Sequence, residues 1–261
     1  MTAAPNARPW SSIDAALAPW PAAQRRAARR VLELALADFP AAGDLDASDP
    51  SVSAWSTSKL GRRGFPVEMT FKDRGGDLRY TVEVDRPDRP AVRRIARALE
   101  VASAVGEPDW PRDVVEELSA LHARAGAELT YGAWLGVRHR AGRADGPPGL
   151  KLYAELPTAA TAWVRSLEER WGFGTWGGAR PVLLGVEAGR LELYYQASAP
   201  RVGELPAVLA RAGFGDGAAE RLRSTLERAY GLSLGRGLPA PRVGWSYGLA
   251  EAPGDGVETI T

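Results

Sequence analysis

The sequence predicts an α+β fold in which helices alternate with antiparallel pairs of strands. In several stretches, apolar and polar residues alternate with the period of two that a strand gives to its side chains. These stretches come in pairs that short turns join, and strands paired in this way are antiparallel. Stretches with helical spacing of their apolar residues separate the pairs, so we expect the helices to cover one face of the sheet.

The elements follow one another from the first helix, which is predicted over 12–38. Its main part begins at Pro21, because proline fits the first turn of a helix. Residues 40–64 are rich in Gly, Ser, Asp and Pro and predict a loop. A hairpin at 66–85 comes next. The later elements are helices at 90–105, 111–125, 158–171, 203–212 and 216–230, and strands at 129–140, 149–157, 181–187, 190–197 and 241–251, with a short last strand in VETIT.

The composition limits the classes of function. Of the 261 residues, 45% are hydrophobic and 25% are charged, which is ordinary for a globular protein, and we predict a single domain over 1–261. The net charge of +1 gives no electrostatic reason to predict nucleic acid or a membrane as a partner. The absence of cysteine excludes thiolate chemistry, and two histidines argue against a metal site. No signal peptide or membrane span is indicated, so we expect a cytoplasmic protein.

One face of each predicted strand is polar. In the hairpin at 66–85, Glu68 and Thr70 share a face of the first strand, and Arg79 and Thr81 share a face of the second. If the helices cover the apolar face, the polar face meets solvent in an open antiparallel sheet, or lines a lumen in a sheet closed into a barrel. The pattern leaves both architectures open, but charges buried at this density would have to pair or bind a ligand.

Several of these residues also have an interpretation without function. Glu68 and Arg79 could form a cross-strand ion pair on an exposed hairpin, which would contribute only about 0.2–1 kcal/mol. The Lys151-Leu-Tyr segment could be a solvated strand face. His122, in a helix, and His139, at a strand end, are interpreted as ordinary surface residues.

The first half of the polar pattern resembles a known family, the aromatic prenyltransferases of the ABBA or PT-barrel fold, in particular the indole branch that includes dimethylallyltryptophan synthase. Members of this branch carry a Glu on the first strand and an Arg on the second, and Glu68 and Arg79 stand in these places. A Lys-x-Tyr strand follows, here Lys151 and Tyr153. The resemblance implies repeated α-β-β-α units, with an antiparallel β-barrel that has a polar lumen and is surrounded by helices.

The second half of the pattern matches the family less closely. The family's Arg-x-Lys-x-Tyr strand occurs as Arg190, Glu192 and Tyr194, so a glutamate stands where a lysine is expected and would repel a diphosphate. The family's late tyrosine has a candidate in Tyr247, which falls on the apolar side of its strand and needs a bulge to turn to the polar face. The chain is also short for the family, with three clear hairpins and a less distinct fourth.

The resemblance implies transfer of a prenyl group from an allylic diphosphate to an electron-rich aromatic acceptor, an indole or a tryptophan-containing peptide. The resemblance also implies that no cofactor or metal is required beyond the diphosphate co-substrate. The alternative is a non-catalytic small-molecule-binding or partner protein on a degenerate barrel. The implied roles are Glu68 as the catalytic carboxylate that binds the acceptor; Arg79, Lys151 and Arg190 as diphosphate-binding residues; Tyr153, Tyr194 and Tyr247 as a cation shield; and Trp134, Thr70 and Gln196 as a candidate acceptor pocket.

Overall fold

The computed structural model describes residues 8–39, 58–61, 64–70, 76–143, 146–173, 178–198, 201–215, 217–231, 233–235, 242–249 and 257–260. The chain groups into two compact units, Met1–Glu155 and Leu156–Thr261, and each is described by itself. The single domain predicted from the sequence stays a prediction. Of the hairpin at 66–85, the residues from Phe71 to Gly75 lie outside the described residues.

The first unit is built from helices that precede and interrupt a four-stranded antiparallel meander. The helix predicted over 12–38 is divided, as its prolines between residues 18 and 22 require, because a proline inside a helix removes a hydrogen bond and clashes with the preceding turn. The elements are α1 (Arg8–Leu17), α2 (Ala22–Ala35), β1 (Val67–Thr70), β2 (Leu78–Glu83), α3 (Arg93–Val105), α4 (Arg112–Ala125), β3 (Ala133–His139) and β4 (Gly149–Glu155).

The core of the first unit lies between the apolar face of this sheet and helices α2 and α3. Helix α2 contacts β2 and β3, and helix α3 contacts β3 and β4. Alternate strand residues point toward these helices, and Val82, Leu135 and Leu152 are fully buried there. The helices therefore cover the apolar face, as the alternation of the strands predicts, and the other face of the meander is the polar one.

Both histidines are buried, so the prediction that they are surface residues is wrong. His139 follows Leu135 and Val137 on the apolar face of β3 and is 2% exposed. Its Nε2 lies 3.2 Å from the hydroxyl of Tyr80, and its backbone carbonyl accepts a hydrogen bond from Gln24 on α2. His122 on α4 is fully buried and its Nε2 lies 2.8 Å from the carbonyl oxygen of Glu155. The His122 ring therefore links helix α4 to strand β4, and the His139 ring links strand β3 to strand β2.

Burial lowers the pKa of His139 to about 4, from an ordinary value of 6.5, because the apolar surroundings disfavour the imidazolium. The unfolded chain therefore binds a proton at this site at a higher pH than the folded chain does. The stability that neutral His139 provides is complete above pH 6.5 and is lost as the pH falls toward 4, with a limit of about 3 kcal/mol.

Urea unfolding at pH 7 and pH 4.5 measures this effect. We expect the wild-type protein to lose more free energy of unfolding on acidification than His139→Gln does, because glutamine does not titrate. The comparison cancels the contribution of the carboxylates, which both proteins share. Equal losses in the two proteins would contradict a buried neutral histidine.

Strand β3 begins later than the predicted 129–140. The carboxylate of Glu155 accepts hydrogen bonds from the backbone N–H groups of Thr130, Tyr131 and Gly132 at 2.7–3.0 Å. These N–H groups turn toward one side chain and cannot continue a strand ladder. Gly132 has a φ of +66°, which ends the turn in a conformation that L side chains rarely adopt. The strand therefore starts at Ala133.

The second unit also contains a four-stranded antiparallel meander with helices. The elements are α5 (Thr161–Trp171), β5 (Arg180–Glu187), β6 (Arg190–Ser198), α6 (Leu205–Arg211), α7 (Ala218–Tyr230), β7 (Arg242–Leu249) and β8 (Val257–Ile260). Strand β6 pairs with β5 and β7, and β7 pairs with β8, so the less distinct fourth hairpin of the prediction is present. Helix α5 packs on the apolar face, where the hydroxyl of Tyr195 donates a 2.5 Å hydrogen bond to Glu168.

Candidate functional site

The polar side of the first meander, called here the first polar face, collects most of the candidate residues of the first unit. Adjacent strands place them in rows, because directly paired residues project to the same side of a sheet. One row runs from Glu68 through Thr81 and Gly136 to Lys151. The neighbouring rows are Thr70–Arg79–Arg138–Gly149 on one side and Glu83–Trp134–Tyr153 on the other.

The central row has its carboxylate at one end and its ammonium group at the other. Glu68 is exposed and faces Thr81 across the hairpin, so it is not directly opposite Arg79. At the other end, Nζ of Lys151 lies 4.9 Å from the centre of the Tyr153 ring, which is within the range of a cation–π contact.

Gly136 makes room for the Tyr153 ring. A Cβ atom at position 136 would lie 2.8 Å from Cε2 of Tyr153 and 3.3 Å from Cβ of Lys151. The ring therefore occupies the space that any other residue at position 136 would fill. The absence of a side chain in the middle of the row sets the position of the aromatic face.

Arg79 is paired with a residue that sequence reasoning did not include in the site. Its Nη2 lies 3.3 Å from Oδ2 of Asp77, and the same oxygen accepts a 2.7 Å hydrogen bond from Nε of Arg138. The Ala141 amide, which donates to Oδ1 at 3.0 Å, and the Arg138 guanidinium hold the pKa of the Asp77 carboxyl below its ordinary value. The cross-strand ion pair between Glu68 and Arg79, the interpretation without function, is therefore not the arrangement found.

Trp134 lies on the first polar face and is held by the buried carboxylate of its cross-strand neighbour, Glu83. Its Nε1 donates a 3.3 Å hydrogen bond to Oε2 of Glu83, which also accepts one from the Ser58 hydroxyl at 2.6 Å. Nε of Arg94 on α3 lies 3.5 Å from the other carboxylate oxygen. Burial raises the pKa of the Glu83 carboxyl, and Arg94 opposes this increase. The Tyr131 ring stacks on the Trp134 indole with 4.2 Å between centroids, so this side chain has a defined orientation.

The polar side of the second meander, called the second polar face, carries the candidates of the second unit. Arg190, Glu192, Tyr194 and Gln196 alternate along β6 and are all half-buried. The Ser246 hydroxyl on β7 donates to the Glu192 carboxylate, and Arg180 on β5 donates to Oε1 of Gln196 at 3.2 Å. Glu192, at the position where the family has lysine, is thus a hydrogen-bonded part of this face.

Tyr247 lies on the opposite, apolar face, so the prediction that a bulge turns it to the polar side is wrong. Its partner across β6 is Leu193, and the β6–β7 register runs without a shift from residue 191 to residue 198. Tyr247 is fully buried, with its ring centroid 5.1 Å from Phe173 and 5.7 Å from Tyr195. An unshifted register preserves the alternation of faces, and Tyr247 is therefore a core residue.

Arg138, Asp77 and Glu83 are the residues that sequence reasoning left out of the site. The alternation of faces places Arg138 and Glu83 on the polar side, but the family resemblance gives neither of them a role. Asp77 gives no such signal because it precedes β2, and only the folded chain brings it to Arg138. Within the described ranges, no group of three or more His, Asp or Glu side chains is arranged to hold a metal ion. No helix among these residues has the length and apolarity needed to cross a membrane.

No protein-family model matches the sequence, and no curated protein matches it. Solved structures do match. The 5-dimethylallyl tryptophan synthase of Streptomyces coelicolor, solved with DMASPP and Trp, aligns with a TM-score of 0.65 at 19% identity, over 95% of this chain and 71% of that one. A 6-dimethylallyl tryptophan synthase aligns with a TM-score of 0.63 at 16% identity, over 97% and 76%.

The apo form of the prenyltransferase PriB aligns with a TM-score of 0.64 at 18% identity, over 93% of this chain and 71% of that one. Each alignment extends through nearly all of the present sequence and through most of the solved structure. The α+β fold of repeated α-β-β-α units that the resemblance implied is confirmed: the chain has the fold of the PT-barrel aromatic prenyltransferases.

Proposed function

We propose that the protein transfers a prenyl group from an allylic diphosphate to an electron-rich aromatic acceptor, an indole or a tryptophan-like compound. The observation that carries the proposal is the row on the first polar face, which joins an exposed carboxylate at Glu68 to a Lys151 ammonium beside an aromatic ring. The likeness to structures solved with an allylic diphosphate analogue and tryptophan supports the choice of substrates.

The chemistry assigns each side chain a separate task. The carbon–oxygen bond of the allylic diphosphate breaks, pyrophosphate leaves with the electron pair, and an allylic carbocation remains. Arg79 and Lys151 bind the pyrophosphate through charge-assisted hydrogen bonds, and the π face of Tyr153 stabilises the cation and shields it from water. Glu68 accepts the N–H of the acceptor, which makes the ring more nucleophilic at the carbon that forms the new bond. That carbon then loses its proton to the released pyrophosphate, and the ring regains aromaticity.

The remaining candidates keep the roles that the resemblance implies. In the second unit, Arg190 is proposed to bind diphosphate and Tyr194 to shield a cation. Trp134 and Thr70 in the first unit are proposed to contact the acceptor, as is Gln196 in the second unit, and no cofactor is required beyond the co-substrate. A peptide as acceptor, the cytoplasmic location and the absence of nucleic-acid and membrane partners stay predictions.

A second candidate function is a non-catalytic protein that binds a small molecule or a partner. The observation in its favour is Glu192, an acidic residue on the second polar face at the position of a diphosphate-binding lysine. Such a protein would bind an aromatic compound without turning over a diphosphate.

Incubation with dimethylallyl diphosphate and tryptophan, followed by mass spectrometry, separates the two functions. We expect a product that is one dimethylallyl group heavier than tryptophan. Lys151→Met should lower kcat/KM by about 10- to 100-fold, because a hydrogen bond to a charged group contributes about 1.5–3 kcal/mol. Arg124→Met removes an exposed arginine from α4 and serves as the control. An absence of product, with no heat of binding for dimethylallyl thiolodiphosphate, would favour the non-catalytic function.

Gly136→Ala tests the position of the aromatic face. The added methyl group would overlap with the Tyr153 ring, so the ring must move away from its place beside Lys151. We expect kcat to fall by up to about 100-fold, since a misplacement of about 1 Å can have an effect of this size. Gly106→Ala is the control, because Gly106 has an extended φ of 171° and a new Cβ would make only an ordinary 3.5 Å contact. An unchanged kcat in Gly136→Ala would exclude a role for the ring position.

A further inference from the structure

Two arginines face each other at one end of the first polar face. Arg79 on β2 and Arg138 on β3 are directly paired, so their side chains leave the sheet on the same side and next to each other. Like charges in directly opposite positions destabilise a sheet. A pair of guanidinium groups in this arrangement needs a compensating group, a bound anion, or both.

Asp77 compensates only part of this charge. One of its oxygens lies 2.7 Å from Nε and 2.5 Å from Nη2 of Arg138, and 3.3 Å from Nη2 of Arg79. The other oxygen accepts the backbone N–H of Ala141, which holds the carboxylate independently of the arginines. One carboxylate and two guanidinium groups leave a net charge of +1 on the three side chains, and Lys151 in the next row adds another positive charge.

The two arginines retain unused hydrogen-bond donors. A guanidinium has five N–H donors, and Asp77 engages only one nitrogen of Arg79 and two of Arg138. The Nε of Arg79 is buried and makes no hydrogen bond among the residues that the structure describes, so an anion would have to reach the partly exposed end of this side chain, which is 27% exposed. The Arg138 side chain is 43% exposed, and its other neighbour across the sheet is Gly149, which has no side chain to cover it. Both guanidinium groups are therefore partly accessible from the open side of the face.

We infer that Arg138 completes the diphosphate-binding site that Arg79 and Lys151 are proposed to form on the first polar face, and that Asp77 is the positioning residue that holds both guanidinium groups. The inference rests on the proposed function for the identity of the anion. A guanidinium group can bind a phosphate group through two N–H donors, and a diphosphate contains two linked phosphate groups that two neighbouring arginines could bind. Asp77 keeps the two like charges together while the site is empty, so the site is already assembled when the anion arrives.

Calorimetric titration of the full chain with inorganic pyrophosphate tests the site without depending on turnover. We expect the wild-type protein to bind, and Arg138→Met to bind at least about 10-fold more weakly, since it loses charge-assisted hydrogen bonds. Arg138→Lys keeps the charge but loses the paired N–H donors of the guanidinium group. Its affinity for pyrophosphate should lie between those of the wild type and Arg138→Met. The control is Asp88→Asn, which removes a carboxylate from a similar two-point ion pair with Arg86 outside the polar face. The control should bind as the wild type does.

Asp77→Asn distinguishes positioning from charge by the direction of its effect. Removal of a negative charge beside an anion site would strengthen binding if the role of Asp77 were only electrostatic. If Asp77 holds the guanidinium groups, the loss of its charge-assisted hydrogen bonds weakens binding although the local positive charge increases. We expect weaker binding, measured on protein whose circular dichroism matches that of the wild type. Tighter binding of pyrophosphate to Asp77→Asn would overturn the positioning role.

The outcomes separate this inference from the proposed function. If the wild-type protein transfers the prenyl group and Arg138→Met binds pyrophosphate as tightly as the wild type, the inference is wrong and the proposed function stands. If the wild-type protein neither binds pyrophosphate nor forms a prenylated product, both are overturned. If binding falls in Arg138→Met and Asp77→Asn but stays unchanged in Asp88→Asn, the paired arginines are the site.

Discussion

Replacement of Glu68 by glutamine is expected to lower kcat for prenyl transfer by about 10²- to 10⁴-fold, the usual contribution of a positioned acid–base group. Glutamine retains the size of the side chain but loses the charge that accepts the N–H of the acceptor. The affinity for dimethylallyl thiolodiphosphate should change little, because the expected diphosphate ligands lie elsewhere on the face. The measurements are product formation by chromatography and analogue binding by calorimetry.

The stability of the Glu68→Gln protein should remain within about 0.5 kcal/mol of the wild type, as is usual for exposed positions. Glu68 is exposed on β1 and faces a threonine. Glu116→Gln on the exposed side of α4 is the matched control, with the same chemical change and no expected effect on activity. A Glu68→Gln protein with the wild-type rate would show that this carboxylate does not act on the acceptor.

Replacement of Gly132 by alanine is expected to destabilise the first unit by more than about 4 kcal/mol, a value at the upper end for single substitutions. Two effects add. The φ of +66° is unfavourable for any residue with a Cβ atom, and the new Cβ would lie only 2.1 Å from the backbone carbonyl oxygen of Ala91. Backbone cannot rotate away as a side chain can, so the loop that carries the N–H groups bound by Glu155 must shift.

Gly142→Ala measures the conformational part of this effect alone, and the difference between the two variants gives the steric part. Gly142 has a similar φ of +72°, but a Cβ there would meet nothing within 4 Å. The Gly142→Ala substitution should lower the free energy of unfolding by only about 1–2 kcal/mol, the ordinary penalty for a left-handed conformation. Chemical unfolding of both variants provides the comparison. Equal losses of stability would mean that backbone conformation, and not contact with Ala91, governs position 132.

The alternation of residues predicted much of the candidate site, because the period of a strand is a local property. Glu68, Arg79, Lys151 and Tyr153 were placed on polar faces from the sequence, and the structure has them on one face of the first meander. The same rule places Tyr247 on the apolar face, where it lies. The family resemblance favoured the opposite side for this residue, and the periodicity of the strand was the better guide.

The histidines show the limit of assigning residues by type. His139 has the same parity as Leu135 and Val137, so its burial was predictable from position even though histidine is often exposed. His122 is fully buried one position after Leu121, on the inner side of α4. In both cases the spacing of the neighbouring apolar residues indicated burial, whereas the chemical type of the residue suggested exposure.

The sequence by itself determined the order of helices and strands, the antiparallel pairing and the polar or apolar side of nearly every candidate residue. These depend on the spacing of residues along a few turns or strands, which local stereochemistry dictates. Only the tertiary structure decided the register that puts Glu68 in a row with Lys151, the bridge from Asp77 to Arg79 and Arg138, and the hydrogen bond from Trp134 to the buried Glu83. These contacts join residues far apart in the chain, and their formation depends on the packing of the whole unit.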